Sequence, residues 1–111
     1  MIARAVARGV RMTPRKVGYV VRPIRRRTVS EALAMLSAIN RRAAVPVAKV
    51  VASAFANVRQ RHPELREDQV VISKVVADDG PRWKRLRAAA FGRATRIVKR
   101  TTHITVELEK R

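Results

Sequence analysis

No cysteine occurs in the 111 residues, which excludes disulfide staples and thiolate metal sites and makes a reducing, non-secreted compartment the expectation. Glycine is scarce as well. The four glycines stand at 9, 18, 80 and 92, too sparse for a loop that cradles phosphate with its backbone. Long apolar runs are missing: the longest, Ala43 to Ala56, is interrupted by Lys49 and Ser53 and falls short of the ~20 residues a membrane span needs, so it reads as a buried helix. Arg4, Arg8 and Arg11 break any apolar stretch of the signal-peptide kind. The two histidines, His62 and His103, lie far apart in the chain with no carboxylate pattern beside them. Neither metal ligation nor a nucleophile relay is indicated, and no enzymatic role, cofactor or small-molecule substrate is expected.

Acidic residues are the most telling shortage. Only 8 stand against 26 basic ones, a formal net charge of +18. Residues 1 to 27 carry +9, residues 28 to 79 carry +1 and residues 80 to 111 carry +8, so a nearly neutral middle separates two cationic ends. From Gly80 to Val106 there are eight Lys or Arg side chains and no acid. Such a stretch repels itself, and a single ordered shape is expected to need an anionic partner. Of the 26 basic residues 20 are Arg, whose planar fork holds phosphate bidentately, although a GC-rich genome would also favour Arg, Ala and Val.

The length suits one domain with a modest core. Residues 2 to 10 alternate Ile2, Arg4, Val6, Arg8 and Val10 against Ala3, Ala5 and Ala7, as in a short edge strand. Thr13-Pro14 opens a helix whose apolar stripe is Val17, Val20, Val21 and Ile24, and Pro23 should end or kink it. Thr28-Val29-Ser30-Glu31 is spaced as a capping box for a second helix that buries Val29, Ala32, Leu33 and Leu36. A third helix, about Ala43 to Arg61, turns Val47, Val50, Val51, Ala54 and Val58 inward and stops at His62-Pro63. Gln69 to Val76 and Thr101 to Leu108 read as strands that could pair antiparallel against the helices, an α+β layer.

Asp79 to Gly92 poses a conflict. Pro81 behind a capping residue, Trp83, Leu86 and Ala90 at helical spacing, and Gly92 as terminator spell a basic amphipathic helix. Yet GPRWKRL followed by GRATRIVKRTTHITV resembles the hallmark of the bacterial large-subunit ribosomal protein twenty-two family, and so do RMTPRKV at Arg11 to Val17, Ile24-Arg25, and KVVASAFAN at Lys49 to Asn57. The resemblance covers nearly the whole chain, and KRTTHITV at Lys99 to Val106 is its most specific part. It implies three helices packed on a small antiparallel sheet with a long protruding basic β-hairpin: a body of residues 1–79 and 100–111 and an arm of residues 80–99, with limbs near Arg82 to Arg87 and Arg93 to Arg100.

The resemblance further implies a structural constituent of the cytoplasmic ribosome. Its partners would be large-subunit rRNA, neighbouring ribosomal proteins and, along the hairpin, the nascent peptide in the exit tunnel; no membrane is involved. On that reading Arg82, Lys84, Arg85, Arg87, Arg93, Arg96, Lys99 and Arg100 meet phosphate. Arg11, Arg15, Lys16 and the run Arg25, Arg26, Arg27 form a second RNA face. Trp83 stacks on a base or caps the core, and Thr102 and His103 lie on the last strand where His103 could donate to RNA. The tunnel-facing tip would be Ala88, Ala89, Ala90, Phe91 and Gly92, with Ala88-Ala89 where the family usually has Pro-Arg. Pro23 and Arg26 also depart from the family, in which a Gly usually follows the Ile-Arg pair. Two other readings compete: an architectural DNA-bending protein with a basic β-arm, although the tip lacks the proline wedge such arms use, and a nuclease relying on His62 or His103.

Overall fold

The computed structural model describes residues 1–88 and 94–111, with side chains over residues 1–82 and 99–111. Strand β5 (Thr102–Lys110) is the centre of a three-stranded antiparallel sheet, with β1 (Ala3–Val10) on one side and β2 (Val70–Asp79) on the other. Its alternation explains the place: Ile104, Val106 and Leu108 are fully buried while Thr105 and Glu107 are only half-buried on the other face. Both flanking ladders carry an irregularity. Between Ala7 and Val10 the register of β1 shifts, with Gly9 at φ +67, so Ala3, Ala5, Ala7 and then Val10 all pack against the core. The expected alternation through Val10 is broken there, because the bulge turns the last residue inward. In β2 the shift between Ile72 and Lys74 likewise lets Ile72 and Val75 both be buried.

Three helices cover the sheet. Helix α1 (Pro14–Ile24) begins at Thr13, whose hydroxyl accepts from the Lys16 N–H at 3.5 Å, and buries Val17, Val20, Val21 and Ile24 as its spacing requires. Pro23 sits in the last turn, and the helix stops one residue later with Arg25 extended. Helix α2 (Val29–Ala38) is capped by Thr28, whose hydroxyl accepts from Glu31 N–H at 3.1 Å. The capping box is only half formed: the Glu31 carboxylate pairs instead with Arg27 at 3.5 Å, one helical turn back. Leu33 is half-buried, while Val29, Ala32 and Leu36 are inside. Helix α3 (Ala44–Arg61) carries the largest share of the core, adding Ala44 and Phe55 to the stripe of Val47, Val50, Val51, Ala54 and Val58, and tolerates Pro46 in its first turn.

The turn between α1 and α2 is strapped to the sheet. Arg26 N–H donates to Ile72 O at 3.0 Å and Ile72 N–H donates to Arg27 O at 2.9 Å. Arg26 reaches this position at φ +64, the left-handed region.

Beyond the sheet the chain forms a separate two-stranded antiparallel ribbon, β3 (Trp83–Ala88) with β4 (Ala94–Lys99). The helix that local rules favour over Asp79 to Gly92 does not form over the described part. The register pairs Trp83 with Lys99, Lys84 with Val98, Arg85 with Ile97, Leu86 with Arg96 and Arg87 with Thr95. Each cation thus stands opposite a neutral residue. Shifting the pairing by one residue either way would oppose Arg85 to Arg96, or Lys84 to Lys99 and Arg87 to Arg96, and like charges directly opposite destabilise a ladder. The molecule measures 65 × 25 × 15 Å, elongated as a body with a projecting ribbon should be.

Candidate nucleic-acid interface

The ribbon is held to the body at a knot of six residues. Asp79, the last residue of β2, receives Arg100 Nη2 at 2.9 and 3.1 Å and Arg82 Nη2 at 3.3 Å. The hydrogen bond from Arg100, aided by the one from Arg82 and by both positive charges, outweighs partial desolvation and holds the Asp79 carboxyl below the usual carboxylate range. Gly80 N–H donates to Thr101 O at 2.9 Å, and the buried Thr101 hydroxyl donates to Pro81 O at 2.6 Å. The ribbon therefore leaves the sheet through two crossed links, one ionic and one buried. An acid does serve the ribbon's root, contrary to the unrelieved repulsion read from residues 80 to 106, because Asp79 lies one residue outside that window.

The second cationic face and the ribbon's root come together in space. Arg11 and Lys16, at the entry to α1, line the same cleft as Lys99 and Arg100. Arg41 and Arg42, in the turn between α2 and α3, complete it. Sequence reasoning passed over these two, although a dibasic pair in an otherwise near-neutral middle was the available signal. Tyr19, 46% exposed, stands nearby with the guanidinium carbons of Arg41 and Arg22 at 5.4 and 6.0 Å from its ring centre.

Of the other expected contacts, Arg15, Arg25, Arg26, Arg27 and Arg82 are exposed. Thr102 is a correction: it is fully buried, on the same face of β5 as Ile104, and its hydroxyl donates to Met12 O at 2.6 Å, so it presents nothing to a partner. His103 is half-buried, and its Nδ1 accepts from Gly9 N–H at 3.0 Å, which leaves Nε2 as the protonated, donating nitrogen of the neutral ring. Lys84, Arg85, Arg87 and Arg96 hold the register positions given above; their side chains and that of Trp83 lie outside the described residues, as do Arg93 and the tip from Ala89 to Gly92. Ala88 ends β3 opposite Ala94. His62 closes α3 with Nδ1 at 3.6 Å from Glu64. Among the described residues no three His, Cys, Asp or Glu side chains gather as a metal site, and no helix is long and apolar enough to cross a membrane.

A helix-and-sheet body whose middle stretch, residues 28–79, is nearly neutral, with an acid-free cationic ribbon and a cationic cleft at the ribbon's root, defines a protein built to sit on a polyanion. The sequence profile of Ribosomal protein L22p/L17e matches residues 5–109, and the chain belongs to that family. The Large ribosomal subunit protein uL22 of Desulfitobacterium hafniense (strain Y51) is 46% identical over 104 residues, covering 94% of this chain and 90% of that protein. Its counterpart in Thermoanaerobacter sp. (strain X514) is 45% identical over 111 residues, covering 100% of this chain and 99% of the other. The chain is thus a structural constituent of the large ribosomal subunit, and the comparisons give the architectural DNA-bending reading no support.

Proposed function

We propose that the chain anchors on large-subunit rRNA through two cationic faces: the entry and exit of α1, with Arg11, Arg15, Lys16 and Arg25 to Arg27, and the arm of residues 80–99. The body, residues 1–79 and 100–111, is the folded platform, also meeting neighbouring ribosomal proteins. The arm threads between RNA helices towards the nascent-peptide exit tunnel, where the tip from Ala88 to Gly92 faces the peptide. The observation that carries this reading is the ribbon itself: paired only strand to strand, rooted by Asp79 and Thr101, and without an acid of its own. A two-stranded ribbon is marginal alone in water, so RNA phosphates on both sides supply counter-charge and a wall. Recognition is by RNA shape and phosphate, not by base edges.

The test compares affinity for a folded large-subunit rRNA fragment with affinity for duplex DNA of equal length at matched salt. Preference for the rRNA fragment is expected. Equal or tighter duplex binding would overturn the reading.

A further inference from the structure

The geometry points to a phosphodiester-binding cleft at the root of the arm, in which Arg41 and Arg42 close over an RNA backbone segment already flanked by Arg11, Lys16, Lys99 and Arg100; this rests on the rRNA-binding reading above. The cleft holds about 460 Å³. Six cations from three separate stretches of chain converge on it, and among the described residues no carboxylate lines it. A merely solvated basic surface spreads its charges over convex ground, whereas here the fold turns them toward one concavity, where their repulsion is greatest without an anion. The entry to α1 adds the partial positive charge of a helix start, since Met12 and Thr13 also line the cleft.

Two side chains are set in advance. Arg100 spends Nη2 on Asp79, yet its Nε is buried with no partner among the described residues. The side chain is nonetheless 38% exposed, so the part of the guanidinium not spent on Asp79 can meet a phosphate in the cleft, and one guanidinium then bridges Asp79 and the RNA. Arg41 is held over Tyr19 at 5.4 Å, which limits the side-chain freedom it would lose on binding. Tyr19 itself does not line the cleft and bears on it only by orienting Arg41.

The test uses the full chain, a folded large-subunit rRNA fragment and filter binding over a range of KCl. Arg41 and Arg42 are exposed, so Arg41→Ala with Arg42→Ala leaves the core intact. That pair is expected to lower affinity about tenfold at 0.1 M salt and to reduce the log-log salt slope by about 1, as loss of one phosphate contact should. Lysine at both positions is expected to restore most of the slope. The control, Arg59→Ala with Arg61→Ala, lies about 25 Å along α3 at 1.5 Å per residue and should cost under about threefold. The Arg100 Nε–H resonance of the wild-type chain should move when the rRNA fragment is added. Equal losses from both alanine pairs would overturn the cleft and leave rRNA binding standing. An Arg100 resonance that moves with inorganic phosphate but not with the RNA fragment would overturn the RNA assignment of the cleft. Wild-type chain that prefers duplex DNA would overturn the cleft and the broader reading together.

Discussion

Arg100 donates to both oxygens of the Asp79 carboxylate, at 2.9 and 3.1 Å, and so ties the exit of the ribbon's second strand to the end of the sheet strand that leads into its first. Arg82 joins the same carboxylate from the entering side at 3.3 Å. The side chains are 38%, 55% and 48% exposed for Arg100, Arg82 and Asp79, so the link orients the ribbon more than it stabilises the body. Asp79→Asn is expected to leave the melting temperature nearly unchanged but to speed hydrogen exchange at Gly80 and through β3. Because the folded carboxyl titrates below its unfolded value, its contribution is present above the unfolded pKa and is lost as pH falls through the folded one. Acidification should therefore reproduce the exchange phenotype of Asp79→Asn in the wild type, and added salt should weaken it. Identical exchange at Gly80 in wild type and variant would show that the ion pair does not hold the root.

The buried half of the root carries more of the stability. A Cβ on Gly80 would lie 2.5 Å from Thr101 Oγ1 and 3.3 Å from the Thr101 carbonyl carbon, and that hydroxyl is buried and committed to Pro81 O. Gly80→Ala should cost about 1–3 kcal/mol by overpacking, read as a lowered melting temperature. Removing the clashing hydroxyl with Thr101→Ala should make the double variant less destabilised than the sum of the singles by about 0.5–1 kcal/mol. Strict additivity in the melts would mean that the two residues do not compete for the same space.

The body was readable in the sequence because its elements obey single periods. Val17, Val20, Val21 and Ile24 on α1 and Ile104, Val106 and Leu108 on β5 are buried as their spacing demands. Departures occur where two rules meet. Thr102 shares the parity of Ile104 and is buried for that reason, whereas its place beside His103 in a family motif suggested an RNA contact. The bulges at Arg8-Gly9 and Ser73 break a period that nothing local interrupts except one glycine. The ribbon register was not read from the sequence; the structure fixes it, and avoidance of facing cations is the physical reason it shows. Helix spacing of Trp83, Leu86 and Ala90 competed with the hairpin, and charge repulsion along the stretch gave no preference between them. The cleft could not be read at all, since Arg11, Arg41 and Arg100 meet only through the packing of α1, α3 and the sheet.

Arg26 occupies a backbone position suited to glycine. Its φ of +64 costs an L-residue with a Cβ roughly 1–2 kcal/mol, and the strap to Ile72 holds it there. Arg26→Gly relieves that strain against a larger unfolded-state entropy, for a net gain of about 0.5–1 kcal/mol. Thermal unfolding should rise by about 2–8 °C, while rRNA affinity falls because an exposed cation is lost. A lowered melting temperature would show that the Arg26 side chain makes a contact worth more than the strain.

The ribbon's register makes an electrostatic prediction that separates pairing from mere extension. Val98 stands opposite Lys84, so Val98→Lys creates a facing cation pair and Val98→Glu an opposite-charge pair at the same position. Cross-strand pairs contribute about 0.2–1 kcal/mol, so exchange of the β3 and β4 amides in the RNA-free chain should shift by about 1.5- to 5-fold, faster for lysine and slower for glutamate. Bound to rRNA the order should reverse in affinity terms: Val98→Glu weakens binding and flattens the salt slope despite firmer pairing, because it cancels charge that phosphate would otherwise neutralise. Exchange that moves in the same direction in both variants would mean that Lys84 and Val98 are not partners.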